Sequence, residues 1–63
     1  MSISVGDRVF STGIKSYGLI LQVNKKDQIV LISWNDIDHL KVEWLSFSLI
    51  RDGFIFVDQE YKK

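Results

Sequence analysis

The chain contains no cysteine and no proline, only four glycines, and no net charge: eight basic residues balance eight acidic ones. Each absence excludes something. Without cysteine there is neither a disulfide staple nor a thiolate metal site, which fits a reducing, cytoplasmic setting. Without proline, all punctuation of the chain falls to Gly and Asx residues. The four glycines, Gly6, Gly13, Gly18 and Gly53, are scattered, so no Gly-rich phosphate loop exists. Charge balance removes the overall basic field that non-specific nucleic-acid binding draws on. No apolar run approaches the roughly 20 residues that span a bilayer, so no membrane partner is expected. The opening Met-Ser-Ile-Ser-Val also lacks the basic-then-apolar pattern of a secretory leader.

What is present is dense in large apolar side chains. Of 63 residues, 46% are hydrophobic and 13% aromatic, which rules out a disordered chain. A domain this short buries only about 60% of the surface its unfolded form exposes. Its stability must therefore come from tight packing or from self-association.

Short apolar runs, each cut by Gly, Asn or Asp, predict five strands. Gly6-Asp7 opens the first, at residues 8–11, and a polar loop at 12–16 follows. The second runs over 17–23, with Gly18 marking a bulge or bend. Asn24-Lys25-Lys26-Asp27 forms a hairpin turn. The third strand, 28–34, alternates Val30, Ile32 and Trp34 with Ile29, Leu31 and Ser33. The first set is assigned to the core because it ends in the largest side chain; Ile29 and Leu31 would then be partly exposed. After a turn at 35–38, Leu40, Val42 and Trp44 are read as the inner face of a fourth strand, with charges facing water. Residues 46–50 are too short for a stable α-helix, so a 3₁₀ turn capped by Ser46 is expected. Asp52-Gly53 turns into the last strand, 54–57, which closes a barrel. The domain is residues 1–57, and 58–63 form a polar tail.

These residues resemble the SH3-like small barrels of the KOW and Tudor type. The likeness lies in Gly6-Asp7-Arg8-Val9, in Gly18-Leu19-Ile20, in Val30-Leu31-Ile32-Ser33-Trp34, in the acidic turn Asn35-Asp36, and in the short turn before the last strand. It covers roughly residues 5–57. It implies an all-β, single five-stranded antiparallel barrel acting as a binding module. KOW-type barrels contact nucleic acids or ribosomal and transcription partners; Tudor-type barrels hold methylated side chains in an aromatic cage. A barrel with nothing around it is also expected of a stand-alone accessory protein, bacterial or phage-encoded.

Three groups are candidates for recognition. An aromatic rim of Tyr17, Trp34 and Phe47 beside Asp36, drawn from a wider set with Phe10 and Trp44, could hold an alkylated ammonium or stack an unpaired base. Arg8, Lys15, Lys25 and Lys26 could contact a phosphate backbone, though lysines on turns also simply keep hairpins soluble. Ile29, Leu31, Ile55 and Val57 could form an apolar interface, because the last strand is apolar on both faces. His39, between Asp38 and Leu40, falls short of a coordination shell even with Asp36 and Asp38, so neither metal nor cofactor is expected. No nucleophile with a supporting base is recognisable, so no enzymatic activity is expected. A protein partner is favoured over nucleic acid because the charge is balanced, and a homodimer is a third reading.

Overall fold

The computed structural model describes residues 3–35 and 40–58. Five antiparallel strands, β1 (Arg8–Ser11), β2 (Ser16–Asn24), β3 (Ile29–Asn35), β4 (Leu40–Ser46) and β5 (Ile55–Asp58), form one sheet in the order β4-β3-β2-β1-β5. One helix among the described residues, α1 (Phe47–Arg51), links β4 to β5 and packs against both. The protein is all-β apart from this one element. Side chains from β1, β2, β3 and β5 meet in one core of Val9, Ile20, Val30, Ile32, Trp34 and Ile55. A single sheet brings four of its strands onto one cluster only by curling over itself.

The glycines and Asx residues act where the punctuation placed them. Ser4 carbonyl accepts from the Asp7 N–H at 3.1 Å, and Gly6 between them has φ +92°. That is the third position of a type II turn, where only glycine avoids a steric cost. The Asp7 carboxylate closes the same turn by accepting from the Ser4 N–H at 2.8 Å. Gly6 N–H then donates to the Ile20 carbonyl (2.8 Å) and Ile20 N–H to the Asp7 carbonyl (3.0 Å), which ties the entry segment to β2. In the β2–β3 turn, the Asn24 side chain accepts from the Asp27 N–H at 3.0 Å and donates to the Asp27 carboxylate at 3.1 Å. The left-handed residue of that turn is Gln28 (φ 56°), outside the Asn-Lys-Lys-Asp quartet.

Gly18 does something other than bend the chain. A Cβ there would lie 2.8 Å from Ile32 Cγ2, 2.8 Å from Trp34 Cε3 and 3.0 Å from the Ser33 carbonyl. Glycine is present because β2 crosses β3 at the point where the Trp34 indole lies over it. The β-bulge falls two residues later, between Ile20 and Gln22, where Leu21 is the inserted residue.

The turn before the last strand is α-helical, not 3₁₀. Both of its ends are closed, which lets five residues suffice. Ser46 Oγ accepts from the Ser48 N–H at 3.2 Å, as a cap should. At the other end Gly53 N–H donates to Ile50 O (3.3 Å) and Phe54 N–H to Leu49 O (2.9 Å), with Gly53 at φ +87°. Those paired bonds around a left-handed glycine are a Schellman motif. Phe47, Leu49 and Ile50 lean on the core.

The face of β4 is the reverse of the expectation. Val42 and Trp44 point outward, 52% and 46% exposed, whereas Glu43 and Leu45 pair with Ile32 and Val30 and share their inner face. The buried indole decides this. Trp34 carries one N–H that water cannot reach, and Glu43 Oε1 accepts it at 3.2 Å. Strict alternation in β4 offered two faces of equal merit; the need for an acceptor selected the one carrying Glu43.

Candidate functional site

The outer face of the sheet is assembled from cross-strand register. On β1, Phe10 stands between Tyr17 on β2 and Phe56 on β5. The rings of Phe10 and Tyr17 lie 4.9 Å apart, tilted by 56°. One step along, Arg8 pairs with Leu19 on one side and Asp58 on the other. The Arg8 guanidinium lies 4.6 Å from the Tyr17 ring centroid and donates through Nε to Asp58 Oδ2 at 3.0 Å; its Nη2 donates to the same oxygen. Leu19 and Ser33 continue the row to Val42 on β4, and Leu31 faces Trp44 in the next row.

The result is an apolar surface. Tyr17, Leu19, Leu21, Val42, Trp44 and Phe56 are each between 41% and 55% exposed. Among the described residues, Arg8 and Asp58 are the only charged side chains at its strand positions, and each neutralises the other. A lone exposed leucine needs no explanation, but a contiguous set spanning the sheet does.

A second feature lies on the opposite, inner side. Between β4, α1 and the start of β5 is a pocket of about 210 Å³, bounded by Ser11, Ile14, Trp34, Glu43, Leu49 and Phe54 among others. Its walls are mostly apolar. Glu43 sits at its base, bonded to the Trp34 indole, while Ile14 and Phe54 stand exposed at the mouth.

The sequence-derived groups fare differently against this geometry. Tyr17 is exposed, and Ser16 Oγ donates to the Asn35 carbonyl at 3.0 Å, so the start of β2 and the end of β3 do adjoin. The aromatic rim is nevertheless not formed. Trp34 is 2% exposed and faces the core, whereas Tyr17, one residue from Trp34's partner Gly18, faces the other way. Phe47 packs against the core from α1. Asp36, Asp38 and His39 lie outside the described residues.

The basic residues do not converge. Lys15 (φ 53°) ends the β1–β2 loop, and Lys25 and Lys26 occupy the β2–β3 turn. The nine residues of β2 separate them, roughly 30 Å at about 3.3 Å per residue. Arg8 is engaged by Asp58. Of the apolar interface set, Ile29 and Leu31 hold outer-face positions, half-buried. Ile55 is core at 3% exposure and Val57 packs against the core, so β5 presents Phe56 instead. Asp58, expected to begin the tail, closes β5 through Arg8.

Phe10 and Trp44 stood in the wider aromatic set, but the outer-face role of Val42 and Phe56, and the outward turn of Trp44, were missed because they depend on which face of β4 and β5 turns inward. The available signal was Glu43: a carboxylate on the strand that follows the buried tryptophan is a candidate acceptor for its indole N–H.

No family model, curated protein or solved structure matches the chain. Among the described residues no helix is long and apolar enough to cross a membrane.

Proposed function

We propose that the chain is a non-enzymatic interaction module of the SH3-like small-barrel type that binds a protein partner through the outer face of its sheet. The observation that carries this reading is the register of Phe56, Phe10 and Tyr17 across three adjacent strands, continued by Leu19, Val42 and Trp44. Rigid aromatic side chains held on strands give contact area with little loss of rotamer freedom on binding, the character of interface hot spots. The five-stranded antiparallel sheet with a helical turn before its last strand supports the small-barrel part of the reading. A cytoplasmic location accords with the lack of cysteine.

Nucleic acid is the weaker partner on this surface. Bases could stack on Phe10, Tyr17 and Phe56, but stacking surfaces work beside a cationic track, and the one guanidinium here is held by Asp58. The test is amide chemical-shift mapping of the labelled chain against two probes: the proteins captured from a cell lysate on the immobilised chain, and a single-stranded thymidine oligonucleotide at low and high salt. Shifts at Phe10, Tyr17, Leu19, Trp44 and Phe56 with a captured protein support the reading. Salt-sensitive shifts of the same amides with the oligonucleotide would transfer the site to nucleic acid.

A further inference from the structure

Resting on the reading that the outer face is the binding surface, we infer that its occupant is a second copy of this chain, joined face to face with β2 at the centre of a symmetric dimer.

Area comes first. Tyr17, Trp44 and Phe56 are each about half exposed, which leaves on the order of 300 Å² of aromatic surface uncovered at ~200 Å² per whole side chain. Leu19, Leu21 and Val42, 41% to 52% exposed, add roughly 200 Å² more at about 150 Å² per exposed aliphatic side chain. Two such faces bury about 1,000 Å² together, the size at which a specific interface becomes distinct from a chance contact. The half-buried Phe10 and Leu31 fill the gaps between these residues, so the area is continuous across the sheet.

Charge then selects the occupant. A face whose only ionic pair is closed on itself has nothing to offer an acidic or a basic partner. It suits a surface equally apolar and equally neutral, and the chain itself carries one. The whole molecule has zero formal net charge, so two copies approach without repulsion. Need points the same way. Among the described residues six buried hydrophobic side chains form the core and no disulfide supports it, a small core for a chain that also leaves nine large apolar side chains exposed, six of them on this face.

The geometry also allows self-pairing. β2 is the middle strand of the sheet, flanked by β1 and β5 on one side and by β3 and β4 on the other. A two-fold axis along β2 sets the Phe10–Phe56 half of one copy against the Leu31–Val42–Trp44 half of the other, with Leu19 and Leu21 of both copies at the centre. Both halves are then covered by a single operation, as an isologous interface requires.

Sedimentation equilibrium from the micromolar to the near-millimolar range tests the inference on the full chain. The expected result is a monomer–dimer equilibrium. Leu19→Lys should raise its dissociation constant by roughly a hundredfold, since an ammonium would be buried without a counterion. Phe54→Lys alters a side chain equally exposed but on the inner, pocket side, and should leave the constant unchanged. Intermolecular NOEs from Tyr17, Leu19 or Trp44 in a mixed-label sample give the same answer without a substitution. A wild-type chain monomeric throughout overturns the dimer; if its outer-face amides still shift with a captured protein, the interaction face survives and only the second copy is lost. A dimer that Leu19→Lys and Trp44→Lys leave intact, with no NOE from the face, overturns both.

Discussion

Replacing Gly18 with alanine would place one methyl group where β2 meets β3, and its cost can be worked from the distances. Three atoms lie at or inside 3.0 Å of the new Cβ: Ile32 Cγ2, Trp34 Cε3 and the Ser33 carbonyl oxygen. None can yield cheaply. The oxygen belongs to the backbone of a paired strand, and Ile32 and Trp34 are core side chains, 0% and 2% exposed. Restoring ordinary contact requires a separation of roughly half an ångström or more, at the strand that carries half of the core. Overpacking of this kind costs about 1–3 kcal/mol, and the backbone contact places Gly18→Ala in the upper half of that range. A domain of this size has about 3–9 kcal/mol in all, so the substitution removes a large fraction. The transition temperature should fall by roughly 10–20 °C, and the urea midpoint by about 2 M if the slope is near 1 kcal/mol/M. Gly13→Ala is the matched control. Its nearest neighbour is Ser11 Oγ at 3.8 Å and its backbone is not left-handed, so it should be neutral or stabilising by up to about 1 kcal/mol. Urea melts followed by circular dichroism decide the pair. Equal midpoints for Gly18→Ala and the wild type would refute the close crossing of β2 over β3.

Other substitutions probe separate parts of the fold. Trp34→Phe should cost about 2–3 kcal/mol by urea unfolding, from lost volume and from removal of the indole N–H that Glu43 accepts; a change below about 0.5 kcal/mol would mean that the Glu43 contact contributes nothing and the core refills. Ser46→Ala should cost roughly 0.5–2 kcal/mol, because it removes the side-chain acceptor at the start of α1, and Ser46→Asp should restore most of it. Gln28→Gly should stabilise by up to about 1 kcal/mol, since it relieves a left-handed backbone at a non-glycine residue; a loss of stability would show that the φ of 56° is not strained in this turn.

Much of the fold was legible because it is written in local chemistry. Val30, Ile32 and Trp34 lie on one face of β3 by strict period two, and all three are core. The turns at Gly6-Asp7 and Asp52-Gly53 stand where conformational freedom was needed. What could not be read was relational. Whether Gly18 bends the chain or clears space for an indole depends on which residue lies across from it, and that is a matter of register between strands. The β4 error has the same root. Alternation identifies two faces but does not orient them, and the vote was cast by the Trp34 N–H, nine residues away from Glu43 in the chain. The candidate site suffered most, because it is the complement of the core: each strand face wrongly turned removes residues from the surface and adds others. Once β4 is reversed, Trp44 and Val42 move to the outer face, while Trp34 on the core face of β3 is unavailable to any rim.

The two tryptophans end up as separate optical reporters. Trp34, 2% exposed and hydrogen-bonded through its indole, should emit at short wavelength and resist collisional quenching by acrylamide. Trp44, at 46% exposure on β4, should emit to the red and be quenched readily. Loss of the blue-shifted component therefore follows unfolding, while protection of the red-shifted one follows occupation of the outer face. A single emission spectrum of the unlabelled chain can thus follow folding and docking as distinct signals.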